Sequence, residues 1–422
     1  MEKTQDMNNR IDKHIARRVI ETVGSFGTPP EWGFQYFTVG LDDYLHLIDD
    51  DYLKTFIKED GGSTFKLVIG AYGGGKTHFL YNIRELAWQE NFVVSYVNLS
   101  SEEAPFYRLE LVYRAIVNNL MYPMTPEELL KGQEKGVEAF IATWYERQAE
   151  IFRQAGLQAE TLDREIEDYA RSVQHNIENV NFSRAVANAF LSLHREREED
   201  FRNIIQWLRL EGYERNVHKE YGLLHPIERS NAFSMIRSLI QWVRNIGYAG
   251  LVILFDEAEQ VPSLSSKQRE LMLSNLREII DECGHASFKN VMIFYALPDE
   301  NIFEGASNVY EALKQRVSSI FDFYNPSGVK IRLEGMEREP IAFLEEVGTR
   351  LRAIYEQAYE IAFPDDIAPV IQGLAHEAYE RRFGDIGYVR LFVQGIIRAF
   401  HILRKEPTGT FSREQTIKLL EG

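Results

Sequence analysis

The chain reads as an α/β protein: a five-stranded parallel sheet flanked by helices, with a large helical insertion and a helical C-terminal region. Three observations predict this class. A glycine-rich loop sits between an apolar strand and a helix over 66–80, a second apolar strand ends in adjacent carboxylates at Asp256 and Glu257, and strand and helix patterns alternate on both sides of a long breaker-poor stretch.

The loop carries the most chemistry. Gly70-Ala71-Tyr72-Gly73-Gly74-Gly75-Lys76-Thr77 fits G-x-x-x-x-G-K-[ST] without a mismatch, preceded by the strand 66–69 and followed by a helix from His78. Glycines remove the Cβ atoms that would hold a backbone away from an anion. Consecutive N–H groups then converge on phosphates, and the helix N-terminus adds partial positive charge. Lys76 is expected to reach the β- and γ-phosphates and the Thr77 hydroxyl to take one Mg²⁺ position. His78 lies beside the phosphates on the helix.

The second strand, 251–255, ends at Asp256. In phosphate-loop NTPases an acidic group at this strand tip holds Mg²⁺, and the next glutamate is placed to polarise an attacking water. Asp256 is therefore assigned to the metal and Glu257 to general-base or water-positioning work. Glu259 reads as a solvent-facing helix carboxylate.

The remaining elements follow in order. Apolar residues at Ile11, Ile15, Val19 and Val23 predict a helix over 8–23, ended by the breakers from Gly24 to Pro30. A short extended piece over 34–40 and a helix over 41–56 lead to the glycine loop. Strands are expected at 66–69, 92–97, 251–255, 290–297 and 329–333. The stretch 107–245 reads as several helices packed on or beside the sheet. Helices are expected over 264–283 and 309–318, and again from 341 to about 404 with breaks near Pro364 and Gly384. Ser412 and Gln415 have capping-box spacing before a last short helix.

Composition narrows the classes. One cysteine, Cys283, rules out a disulfide framework and a multi-cysteine zinc site and suits a reducing cytoplasm. The N-terminus does not resemble a signal peptide, and no apolar run is long enough to span a bilayer, so no membrane role is expected. A net charge of −17 opposes strong DNA binding by the molecule as a whole but leaves a local basic groove open.

The phosphate loop, the acidic strand tip, the five strands and the Gly387-Tyr388-Val389-Arg390 sequence in the last helical region together resemble the AAA+ ATPases. More narrowly, 36–40, 65–77, 92–100 and 254–257 are similar to the BrxD family of BREX-type antiphage defence, in the origin-recognition-like branch. The resemblance covers most of the chain, and the insertion at about 130–235 only loosely. It implies an N-terminal helical segment with an adenine-side box (1–64), an AAA+ core (65–335) and a helical lid (336–422). It implies that ATP with Mg²⁺ is the cofactor, that Val39 borders the adenine, that Arg390 is the lid arginine and that Arg316 is an arginine finger acting across a subunit interface. Self-association and engagement of DNA or a helicase-like defence partner follow as expectations. A nucleotide-dependent switch or adaptor with little hydrolysis is the alternative. Two departures stand out. The fourth strand ends in Ala296-Leu297-Pro298 without the polar sensor residue usual there, and little chain follows the lid to form a winged-helix DNA-binding domain.

Overall fold

In the computed structural model, the described residues are 11–100, 104–132, 134–155, 159–256, 264–303, 308–333, 339–364, 367–382, 387–407 and 410–421. Helix α1 (Lys13–Phe26) is capped by Asp12, whose side chain accepts from the backbone N–H of His14, and ends at Gly27 in the left-handed conformation with φ 63°. Gly24, expected to end this helix, lies inside it. A Cβ at Gly24 would stand 2.8 Å from Ile397 Cγ2, so this glycine serves close packing rather than chain reversal. The extended piece expected after it is instead a 3₁₀ turn, Phe34–Phe37, which buries both phenylalanines. Helix α2 (Asp42–Leu47) continues into a π-helical segment, Ile48–Ile57.

Strand β1 (Ser63–Ile69) feeds the glycine loop and helix α3 (Lys76–Gln89), and strand β2 (Val93–Asn98) follows. After α4 (Leu109–Asn118) comes a two-residue strand, β3 (Leu120–Met121), and the insertion comprises α5 (Pro126–Leu130), α6 (Val137–Gln154), α7 (Ala159–Ser172), α8 (Val180–His194), α9 (Glu198–Leu208) and α10 (Arg215–His218). Helix α11 (Ala232–Asn245) returns the chain to strand β4 (Leu251–Asp256). Then follow α12 (Ser266–Gly284), strand β5 (Val291–Leu297), α13 (Asn308–Arg316), strand β6 (Lys330–Arg332), and the C-terminal helices α14 (Pro340–Tyr359), α15 (Ala368–Glu380), α16 (Tyr388–Leu403) and α17 (Arg413–Glu421). The predicted Ser412–Gln415 capping box forms in full, each side chain accepting from the other's backbone N–H.

The sheet has six strands, in the order β3-β2-β4-β5-β1-β6. This corrects the expected five. The five predicted strands are all present and mutually parallel, and β3 adds an antiparallel edge beside β2. Two residues between two helices carry no periodicity, so a strand of this length leaves no sequence signal. Strands β4 and β5 are buried at every residue and β1 at all but Thr64 and Ile69, as a sheet covered on both faces requires.

One lysine breaks the apolar run of β1. Lys66 is 1% exposed, and its ammonium donates to Tyr52 Oη (2.9 Å) and the Gly328 carbonyl (2.7 Å) and lies 4.1 Å above the Tyr52 ring. Burial pulls its pKa down to about 7. It ties β1 to the π-helical segment and to the turn before β6.

Two hydrophobic cores organise the chain. The larger contains both sheet faces together with the insertion helices, and the second joins α1 and the 3₁₀ turn to α14–α17. Trp242 on α11, fully buried, meets the rings of Phe140, Trp144 and Phe182 at 5.3–6.1 Å and so fuses the insertion to the sheet core. Trp242→Ala is expected to cost about 3–5 kcal/mol. In chemical denaturation it should lower the midpoint of one transition that includes the insertion, rather than split off an early phase.

Candidate functional site

Because the core strands run parallel, the C-terminal ends of β1, β4 and β5 lie along one edge of the sheet, where open α/β sheets bind ligands. Strand β5 stands between β1 and β4, so the glycine loop must reach across the end of β5 to meet the acidic strand tip. It does so through its backbone: the Gly70 N–H donates to the Leu297 carbonyl at 3.1 Å, and Gly74 N–H closes a turn onto Ala71 O at 2.9 Å. Gly73 has φ 76°, a left-handed backbone, and a Cβ there would come within 2.9 Å of Arg390 Cβ. Gly75, at φ 88°, leads directly into α3.

Lys76 is 6% exposed and its ammonium donates to Gly70 O (2.9 Å) and Ala71 O (3.1 Å), which holds its charge at the loop. The Thr77 hydroxyl donates to Asp256 Oδ2 at 2.8 Å, joining residues 179 positions apart. Asp256 itself is 2% exposed. A hydroxyl and a carboxylate in hydrogen-bond contact form an oxygen donor pair of the hard kind that Mg²⁺ takes, and Mg²⁺ needs only one or two such protein ligands beside phosphate. Among the described residues no cluster of three or more His, Cys, Asp or Glu side chains could hold another metal. The residues therefore fit a magnesium-bound nucleotide.

A cavity of about 210 Å³ runs beside the loop, lined by Tyr72 to Phe79, Asp256, Val39 and residues of the second core such as Phe343, Val347 and Arg390. Val39 is nearly buried in this wall, and the carbonyl of the preceding Thr38 accepts from Arg350 on α14. A roomier cavity of about 510 Å³, lined by Trp32, Tyr81 and Leu129, contains no residue of the predicted site. Volume does not select the site here; chemistry does.

His78 points away from the loop crest. Its Nε2 lies 2.7 Å from Thr38 Oγ1, while that hydroxyl donates to Phe34 O at 3.0 Å. A hydroxyl has one proton to give, so Nε2 donates to Thr38 Oγ1. Phe34 and Phe37 pack edge-on against it at 5.7 and 5.1 Å. Burial pushes the imidazole pKa down to about 4.

The C-terminal helices close over the loop. Gly387 N–H donates to Tyr72 O at 2.8 Å, and the Arg390 guanidinium sits 5.2 Å from the Tyr72 ring centroid. A Cβ on Gly387 would be 2.5 Å from Tyr72 O, so only glycine permits this approach. The structure thus gathers Gly70, Tyr72, Gly73, Gly74, Gly75, Lys76, Thr77, His78, Val39, Asp256 and Arg390 around one cleft. Arg316 is elsewhere: on α13 its guanidinium is held by Asp281 of α12, with Nη2–Oδ2 at 3.0 Å, and by Ala312 O. Glu257 and Glu259 lie outside the described residues.

Sequence reasoning missed Tyr96, whose hydroxyl donates to Asp256 Oδ2 at 2.5 Å. The strand register accounts for the contact. Strand β2 is the parallel neighbour of β4 in the register Tyr96↔Leu254 and Asn98↔Asp256, and alternation puts Tyr96 on the face of Asn98.

A glycine loop joined to an acidic tip across a parallel sheet, in a mixed α/β chain, is consistent with an ATP-binding core. The chain belongs to the BrxC/D family: the model of that family, described as BREX system ATP-binding protein BrxC/D, matches residues 11–418. No curated protein and no solved structure matches the chain. Among the described residues no helix is long and apolar enough to cross a membrane.

The neutral His78 links stability to pH. Its folded pKa lies below the unfolded value of 6.5, so the unfolded state takes up a proton first and stability falls as pH drops from about 6.5 to about 4. His78→Leu is expected to remove that part of the acid sensitivity, at most about 3 kcal/mol. Urea midpoints of both proteins at pH 7 and pH 5 check it.

Proposed function

We propose that this chain is an Mg²⁺-dependent ATPase of the AAA+ kind, working in antiphage defence in the cytoplasm. In this reading its nucleotide state governs self-association and engagement of DNA or a helicase-like partner. The observation that carries the reading is the Thr77–Asp256 hydrogen bond, which supports a shared magnesium-bound triphosphate between glycine loop and strand tip. Membership in a family described as ATP-binding supports it independently.

In this reading residues 65–335 form the ATPase core and 336–422 the lid, with 1–64 contributing the adenine-side wall. The loop N–H groups and Lys76 bind the phosphates. Thr77 and Asp256 hold Mg²⁺, which when bound neutralises charge on the β- and γ-phosphate oxygens. Glu257, next to Asp256 in the chain, orients the attacking water and accepts its proton. Arg390 touches the γ-phosphate from the lid, and Val39 borders the adenine. Arg316 serves as a finger toward a neighbouring copy, exchanging Asp281 for phosphate.

A second reading is a nucleotide switch with little turnover. It is favoured by the end of β5, where Ala296 and Leu297 are buried apolar residues at the position between the two halves of the site. The last two side chains of that strand, Ala296 and Leu297, carry no polar group.

Phosphate release, measured with and without DNA, separates the two. Lys76→Ala and Glu257→Gln are each expected to lower the wild-type rate by about two to three orders of magnitude, as loss of one preorganised charge-stabilising group does. Wild-type protein that binds Mg·ATP and changes size but releases no phosphate under any condition supports the switch instead. Size measurements with ADP and with a slowly hydrolysed ATP analogue should show a nucleotide-dependent assembly that Arg316→Ala weakens.

A further inference from the structure

We infer that Tyr96 is a positioning residue for the carboxylate of Asp256, fixing its orientation toward a bound magnesium ion. The inference rests on the reading of Asp256 as the metal-holding group. It goes beyond it by assigning a role to a residue of a neighbouring strand.

Asp256 is 2% exposed, and a carboxylate in such a place requires donors. Both donors named above meet the same atom: Thr77 Oγ1 at 2.8 Å and Tyr96 Oη at 2.5 Å are hydrogen-bonded to Oδ2. Two donors from different elements therefore hold that oxygen in place. Thr77 sits on the first turn of α3, directly after the glycine loop. Tyr96 sits on a separate element, strand β2. It is held by the sheet register beside β4 and by its ring, which packs at 5.3 Å on Tyr81. Tyr81 in turn lies under the guanidinium of Arg84 at 4.5 Å, and Arg84 is itself 1% exposed. The stack would be equally served by phenylalanine. Only the hydroxyl distinguishes tyrosine here, and that hydroxyl is spent on Asp256. Groups that orient a metal-binding side chain in this way commonly contribute tenfold or more to metal affinity.

The test is a titration of a fluorescent ATP analogue into wild type and Tyr96→Phe, each with Mg²⁺ and with EDTA. The expected result is a Mg²⁺-dependent gain in affinity that is about tenfold smaller in Tyr96→Phe, with affinity in EDTA unchanged within about twofold. The thermal shift produced by Mg·ATP, read against each protein's own unliganded midpoint, should shrink in the variant. An equal Mg²⁺-dependent gain in both proteins overturns the inference and leaves the reading of Asp256 standing. Equal losses with and without Mg²⁺ also overturn it, because they mark Tyr96 as a packing residue. A wild-type protein whose affinity ignores Mg²⁺ overturns the inference and the assignment of Asp256 together.

Discussion

A carboxylate buried at the end of a parallel strand is the constraint on which this site depends. Asp256 is 2% exposed there, and donors from two other elements, α3 and β2, meet its carboxylate. Since β5 lies between β1 and β4, the glycine loop must cross its end to deliver Thr77. The Gly70–Leu297 backbone bond anchors that crossing. Strand order, loop composition and the burial of one aspartate are thus parts of one geometric requirement. Move the loop by one residue, and both the hydrogen bond and the backbone anchor are lost.

The second core explains why the N-terminal segment matters to a site whose motifs lie elsewhere. Helix α1 packs with α14 and α16, and the 3₁₀ turn after it supplies Phe34, Phe37 and Thr38 to the neighbourhood of His78. A neutral, half-buried imidazole therefore links the first turn of α3 to the wall that contains Val39. Small residues make the junction possible. Gly24 admits Ile397, and Gly387 admits the backbone of the loop.

Much of this was legible in the sequence, and the reasons differ by element. The glycine loop and the strand ending in Asp256 were readable because phosphate binding dictates residue types at fixed spacing. The long buried strands were readable as apolar runs with β-branched residues. The edge strand Leu120–Met121 was not, being too short for any period to appear. The turn at Phe34–Phe37 looked extended because aromatic and β-branched residues favour strands; tertiary packing against His78 and α14 overrode that preference. Gly24 looked like a helix end because a glycine needed for close approach and one needed for chain reversal are the same letter. Tyr96 was missed because its partner is distant in sequence, and only the β2–β4 register brings the two together.

The bond from Gly387 to the carbonyl of Tyr72 has a mechanical corollary. It ties the first residue before α16 to the middle of the glycine loop, so a rigid swing of the C-terminal helices cannot leave the loop backbone undisturbed. Separating the start of α16 from the loop would break this bond and part Arg390 from the Tyr72 ring together. The placement of α16 and that of the loop are thereby coupled through one peptide group and one aromatic face.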